Sequence, residues 1–297
     1  MKDSHKSLIY AGLSVLSWST VATAFKLALQ LQTHFEMLLI ASCTALVILA
    51  IVMTFQSKWS SLTLLSAKQW LLYALIGLLN PVIYYLVLFK AYALLPAQIA
   101  QPINYSWPIL LLILIAIVSH QPIPRKKYIG MALSLGGVIL ISAGSGQIQQ
   151  SAIPVAGLLL AFLSALLWAG FWIVNKMNQN VDNTVNLFAI FLFGSVYLLI
   201  ASLFVPVNLT STNGFLASMY IGAFEMAIPF IFFSLALKKT NNPVLINQLC
   251  YLAPFTSLFI IHLVLKEHIY TTTFIGLILI IVGIIFNEYF AGSGRTK

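Results

Sequence analysis

Ten stretches of this 297-residue chain are apolar and about the length of a membrane crossing: residues 7–30, 35–55, 69–89, 97–118, 127–143, 154–175, 185–205, 215–237, 243–265 and 272–290. A helix rises 1.5 Å per residue, so about twenty apolar residues span a hydrocarbon core of ~30 Å. Continuous runs of this kind are helix signals, because a membrane barrel alternates apolar and polar positions in strands of about ten residues. The joints are short, the longest covering residues 56–68, which leaves no room for a soluble domain. Only 7% of the residues are charged, against the ~25% of a soluble domain. The expected fold is therefore an all-α polytopic membrane protein with ten transmembrane helices. The first run exceeds the apolar core of a signal peptide and lacks a small-residue cleavage site, so it reads as a span. The fifth is the shortest and is rich in glycine.

Basic residues outnumber acidic ones 15 to 6. On a soluble protein that balance points to nucleic acid; here it sorts by loop. With a cytoplasmic N-terminus, every Lys and Arg except Lys26, Lys90 and Lys266 falls on the inner side, as cytoplasmic loops of membrane proteins require. Both termini are expected in the cytoplasm, and no nucleic-acid partner is implied. Cys43 and Cys250 lie inside apolar runs, so neither a disulfide framework nor a metal cluster follows.

The two halves of the chain are related. At an offset of 150, Leu13, Ser14, Leu16, Trp18 and Lys26 fall on Leu163, Ser164, Leu166, Trp168 and Lys176. At 146, Tyr105 and Pro108 fall on Tyr251 and Pro254, and Ile129, Gly130 and Gly137 on Ile275, Gly276 and Gly283. At 145, Gly77, Asn80 and Ala91 meet Gly222, Glu225 and Ala236. Matches of Trp, Tyr, Pro and Gly are harder to obtain by chance than matches of Leu, although the second and seventh spans show none. Five spans per repeat is an odd number, so the second copy enters the membrane from the opposite side. Residues 1–147 and 151–291 are expected to form two inverted five-helix repeats, with a cytoplasmic tail at 292–297. A site between such repeats can open alternately to either face.

Polar groups at membrane depth mark the candidate site, because they are costly there. Glu225 lies nine residues into residues 217–237, ~12 Å deep at the helical rise. Ser218, Gly222, Glu225 and Pro229 share one helix face, and Tyr73, Gly77, Asn80 and Tyr84 form the equivalent face in the other repeat. Pro81 and Pro229, just beyond the polar positions, each leave a carbonyl without its helical partner. Glu225 either exchanges a proton during transport, pairs with a substrate amine, or is a protonated acid bonded to a neighbouring helix. Gln98, Gln101, Tyr105 and Pro108 share a side of the fourth span, and Asn247, Tyr251 and Pro254 a side of the ninth, flanked by Asn104 and Gln248. Their amides suit a zwitterionic or polyhydroxy solute, or else bond helix to helix. Trp18 and Trp168 are mid-span, away from the interfacial belt, and with Tyr84, Tyr85, Trp107, Phe171 and Trp172 suggest either an aromatic cavity wall or ordinary packing. His262 is either a proton relay or a packed core residue. Lys26, Lys90 and Lys176 stand near span ends, where their ammonium groups snorkel to the headgroups. Gly130, Gly136, Gly137, Gly276 and Gly283 allow close helix approach, within a monomer or across a homodimer face.

With ten spans in a five-plus-five inversion, Pro108 followed by basic residues, Ile129-Gly130 and Gly136-Gly137, and the same pattern repeated as Pro254, Lys266-Glu267, Ile275-Gly276 and Gly283, the sequence resembles the drug/metabolite transporter superfamily in its EamA-like branch. Trp18-Ser19-Thr20 and Asn104-Tyr105-Ser106-Trp107-Pro108 resemble stretches of bacterial aromatic amino acid exporters. One departure is Gln121, where the branch commonly has an acid; its counterpart Glu267 is present. The resemblance implies a small-molecule carrier of the bacterial inner membrane, with a central cavity lined mainly by spans 1, 3, 4, 6, 8 and 9. The partners it implies are a small solute and the bilayer.

Two other classes fit less well. An enzyme would need a catalytic set, and the sequence contains no HExxH, no GxSxG, no paired carboxylates and no Cys/His metal spacing; no cofactor is expected. A channel would be expected to carry a selectivity element, and none is visible. The aromatic candidates favour amino acids or similar amphipathic metabolites. Nucleotide sugars would want a Lys or Arg in mid-span for their phosphates, and none lies there.

Overall fold

The computed structural model describes residues 3–120, 122–144, 154–175 and 181–292. Its helices in chain order are α1 (Asp3–Leu29), α2 (His34–Phe55), α3 (Ala67–Leu94), α4 (Ala97–Ser119), α5 (Lys127–Gly144), α6 (Val155–Asn175), α7 (Asn183–Ala201), α8 (Thr212–Lys239), α9 (Leu245–Leu265) and α10 (Thr271–Gly292). Among the described residues nine are long and apolar enough to cross a membrane, and α5 is the short one, as its glycine-rich run implies. Helices α3 and α8 run several residues past their apolar cores, since capping continues the backbone into the interface. At α3, Ser66 accepts from the Gln69 N–H at 3.3 Å while Gln69 accepts from the Ser66 N–H at 2.9 Å, a reciprocal cap that satisfies two orphan donors. The joint between the expected repeats, residues 145–153, and the tail from 293 lie outside the described residues.

The halves interlock. Helix α1 packs on α8 and α3 on α6, α4 on α6 and α9 on α1, α2 on α7, and α5 on α10. Replacing each helix by its counterpart five places along leaves these pairings unchanged, as a two-fold relation between the repeats requires. The irregularities repeat as well. Helix α3 kinks within Leu78–Ile83, where Asn80 leaves the helical region, and α8 widens into a π turn at Gly222–Ala227, the equivalent stretch; a further π turn, Ile261–Leu265, ends α9 without a counterpart in α4. Helix α4 breaks at Tyr105-Ser106, and α9 at Cys250-Tyr251. Each break stands just before a proline, Pro108 or Pro254, whose ring and missing N–H bar a continuous helix.

Inside the bundle, serines join helices: Ser7 donates to the Ala236 carbonyl at 2.8 Å, Ser14 to that of Pro229 at 2.9 Å, and Ser42 and Ser195 bond each other at 2.9 Å. Large apolar side chains such as Leu16, Ile139 and Val155 point outward, the arrangement for a lipid solvent. The glycines of the fifth and tenth runs meet within the chain. A methyl group on Gly130 would strike the Gly283 carbonyl, and one on Gly137 that of Gly276, so α5 and α10 touch backbone to backbone. Gly136 faces open space and takes no part in this contact.

Outside the spans, Asp182 caps α7 through the Thr184 N–H at 2.9 Å and pairs with Lys58 at 2.7 Å and Lys238 at 3.3 Å. Partial burial pushes its carboxyl up, but the bonds from Lys58 and Thr184 and the two ammonium charges outweigh this and hold it at about 2. Its folded value is depressed, so its contribution to stability is complete above the ordinary carboxylate range and is lost as pH falls toward 2.

Two outcomes are expected from thermal melts of the detergent-solubilised protein. Gly137→Val lowers the melting temperature by several degrees, corresponding to about 1–3 kcal/mol of overpacking, while Gly136→Val leaves it unchanged. Asp182→Asn melts below the wild type at neutral pH, and that gap closes between about pH 4 and pH 2.

Candidate functional site

A cavity of roughly 480 Å³ lies between the two halves. Helices α1, α3, α4, α6, α8 and α9 supply most of its wall, and α5 and α10 contribute Lys127, Ile284, Asn287 and Glu288 at one end. It runs from the breaks in α4 and α9 toward the start of α5 and the end of α10. The opposite end is sealed. The Lys26 ammonium donates to the Tyr92 and Leu95 carbonyls at 2.9 and 3.0 Å, closing the C-terminus of α3. Glu267 accepts from the Ala97 and Gln98 N–H groups at 3.1 and 3.3 Å, capping α4. The Gln98 side chain donates to the His268 carbonyl at 2.7 Å and accepts from the Tyr270 N–H at 3.2 Å. Gln32, in the turn after α1, also bonds Ser218 of α8.

The walls are aromatic. Trp18 meets Phe230 edge-on at 5.5 Å, and Phe230 lies 6.2 Å from Trp168, whose other face approaches Tyr84 at 4.7 Å. Trp107 stacks on Trp172 at 6.0 Å. Within this lining Glu225 is held from one side: Tyr85 Oη donates to its Oε1 at 3.1 Å, and its second oxygen has no protein partner among the described residues. Asn104 donates to Ser164 Oγ at 2.9 Å and accepts from Tyr84 Oη at 3.5 Å, tying α4 to α6 and α3. Gln101, 3% exposed, presents a carbonyl oxygen without a partner.

Of the residues singled out from the sequence, Glu225, Trp18, Trp168, Tyr84, Gln101, Asn104, Tyr105, Asn247 and Tyr251 come together in this cavity. Five do not line it. Tyr85 and Phe171 are buried beside lining residues, Tyr85 bonded to Glu225 and Phe171 stacked on Trp168 at 5.1 Å. Asn80 is buried but does not line it, because the backbone there is extended (φ −142°, ψ 120°) and leaves the helical face that would align it with Tyr84. Gln248 follows Asn247 by one residue and so points roughly 100° around α9, off the cavity. His262 is exposed at the end of α9, with Nδ1 2.9 Å from the Glu267 carbonyl, and does not line the cavity. Two further expectations change. Lys26 closes a helix end instead of snorkelling, and Gln98 belongs to the sealed face. Lys90 is exposed as expected, whereas Lys176 and Gln121 lie outside the described residues.

Sequence reasoning missed Lys127, Asn287 and Glu288. Glu288 accepts from Tyr251 Oη at 2.7 Å. It sits near a span end, where depth alone gives no signal; the clue available was its neighbour Asn287, one turn past Gly283 on the face that meets Gly130. Among the described residues no group of three His, Cys, Asp or Glu could hold a metal ion.

The sequence model of the EamA-like transporter family matches the chain twice, over residues 5–143 and 155–289. An uncharacterized transporter of Bacillus subtilis (strain 168), YvbV, is 28% identical over 222 residues, covering 73% of this chain and 71% of that protein. Protein PecM of Dickeya dadantii (strain 3937) is 26% identical over 237 residues, covering 77% and 76%. A crystal structure aligns over 100% of both chains with a TM-score of 0.67 at 19% identity, a likeness of fold alone.

Cys250 lines the cavity and Cys43 does not, which makes the first a native reporter. In a Cys43→Ser protein reconstituted in vesicles, a membrane-impermeant thiol reagent is expected to label Cys250 from the Lys127 face. Mass spectrometry of the modified chain reads the result, and equal labelling from the Glu267 face contradicts the seal.

Proposed function

The chain belongs to the EamA-like transporter family and is a membrane transporter; from that premise we propose that it is a secondary carrier for a small amphipathic metabolite, an amino acid or a related compound. The observation that carries this reading is Glu225: a carboxylate bonded by Tyr85 on one oxygen only, inside an aromatic cavity between two inverted repeats. Such a group does one of two jobs. It binds a substrate amine through a charge-assisted hydrogen bond, or it carries a proton exchanged for the substrate. Both give alternating access a chemical trigger, because the group's partner differs between the loaded and empty states.

The sorting of basic residues by loop supports cytoplasmic termini in a bacterial inner membrane. In that orientation the Lys127 face is cytoplasmic, and the solute is loaded from inside for export. No Lys or Arg lines the middle of the cavity, which disfavours phosphorylated substrates. The irregular turns fit the mechanism: α3 is kinked at Asn80 and α8 carries a π turn in the equivalent stretch, and such features recur at functional sites and bend points.

Counterflow in proteoliposomes tests the reading. A carrier exchanges labelled for unlabelled solute with saturation, a channel only dissipates the gradient, and an enzyme alters the compound. Glu225→Gln and Glu225→Ala are expected to reduce flux at least tenfold, the worth of one charge-assisted bond. Unchanged, still proton-dependent flux in both variants would sink the role given to Glu225.

A further inference from the structure

The Lys127 end of the cavity holds polar groups that the carrier reading leaves unused. Glu288 Oε1 is engaged by Tyr251, but its Oε2 is buried without a partner. The neighbouring Asn287 is 7% exposed, and neither its Nδ2 nor its Oδ1 has a partner. Both side chains line the cavity. Asn287 also packs against α5, where a methyl group on Gly130 would stand 2.5 Å from its Oδ1. Trp107 and Trp172 stack nearby in the same lining.

Buried polar atoms are nearly always paired, so a cluster of three unpaired ones has a missing partner. Two of the three, Glu288 Oε2 and Asn287 Oδ1, accept only, and one belongs to a carboxylate. The group that satisfies both acceptors carries at least two N–H donors and a positive charge. Lys127 lines the same end but makes no salt bridge within 4 Å, so it does not fill that role in this structure. Aromatic faces beside a carboxylate add further attraction for a cation.

We propose that Glu288 and Asn287 form a second binding station, for the primary ammonium group of the solute, at the Lys127 end of the cavity and separate from Glu225. Tyr251 is a positioning residue: its hydroxyl fixes one oxygen of Glu288 and leaves the other for the solute. The station rests on the carrier reading in that a solute must enter this cavity. It divides the work along the path, with the ammonium group met by Glu288 and Asn287 at the end of the cavity and by Glu225 deeper in.

The test is equilibrium binding of tritiated tryptamine to the purified full-length protein, with indole-3-acetate as a probe of the same ring system and opposite charge. Tryptamine is expected to bind, and Glu288→Gln to weaken it about tenfold while leaving the affinity for indole-3-acetate unchanged or higher. Asn287→Ala weakens tryptamine several-fold. Tyr251→Phe keeps the charge and the ring, so it protects the test against misfolding of the other variants. It shifts tryptamine binding by a smaller factor in the same direction. Undiminished tryptamine binding in a folded Glu288→Gln protein overturns the station, even if Glu225→Gln abolishes transport. Conversely, flux that survives Glu225→Gln while Glu288→Gln loses tryptamine removes the role of Glu225 and leaves the station standing.

Discussion

In hydrocarbon no water is available to pair a backbone N–H or C=O, so a spanning chain must satisfy each one internally. That constraint decides where this molecule can be irregular. Most departures of its described helices from regularity fall at equivalent places in the two halves, the kink of α3 and π turn of α8 and the breaks of α4 and α9, while a further π turn at Ile261–Leu265 ends α9 alone; the breaks border the cavity. Ser106 Oγ takes up the Ile103 carbonyl at 2.7 Å at the break of α4. Tyr105 and Tyr251, the residues at the breaks, both line the cavity. The prolines that cause the breaks therefore open the structure only where polar groups or a solute can complete it.

The repeats share a scaffold and differ in chemistry. Asn80 and Glu225 hold equivalent positions, yet one is buried in a helix contact and the other faces the cavity. Lys26 seals one face through two carbonyls. The symmetric scaffold provides equivalent helix pairings in the two halves, and the side chains that line the cavity differ between them: aromatic rings, the carboxylate of Glu225, and that of Glu288 at one end.

Much of this was legible in the residues. Ten apolar runs give ten helices, and Trp18/Trp168, Tyr105/Tyr251 and Asn80/Glu225 identify the repeat before any coordinates. The cavity helices follow from the family resemblance, and Glu225 from its depth alone. What stayed hidden depended on local geometry. Helical periodicity put Asn80 beside Tyr84, but an extended backbone at Asn80 undoes that register. The residues allow His262 as either a proton relay or a packed core residue, yet it is exposed, with Nδ1 2.9 Å from the Glu267 carbonyl. Glu288 was invisible because it lies near a span end, where charge is cheap, and the sequence alone does not show that α10 turns it to the cavity wall.

The interlocking of the halves also governs how the protein is made. Helices α1 and α3 find their main partners in α8 and α6, and α2 and α5 theirs in α7 and α10. The first five spans thus leave the ribosome with their partners not yet translated. At about 5–20 residues per second the wait for some 150 further residues lasts on the order of ten seconds or more. During that interval the polar groups of the first repeat, Asn80, Gln101 and Asn104 among them, stand in lipid without the surfaces that later enclose them. Assembly of the bundle is for that reason a late event, completed when α10 closes onto α5.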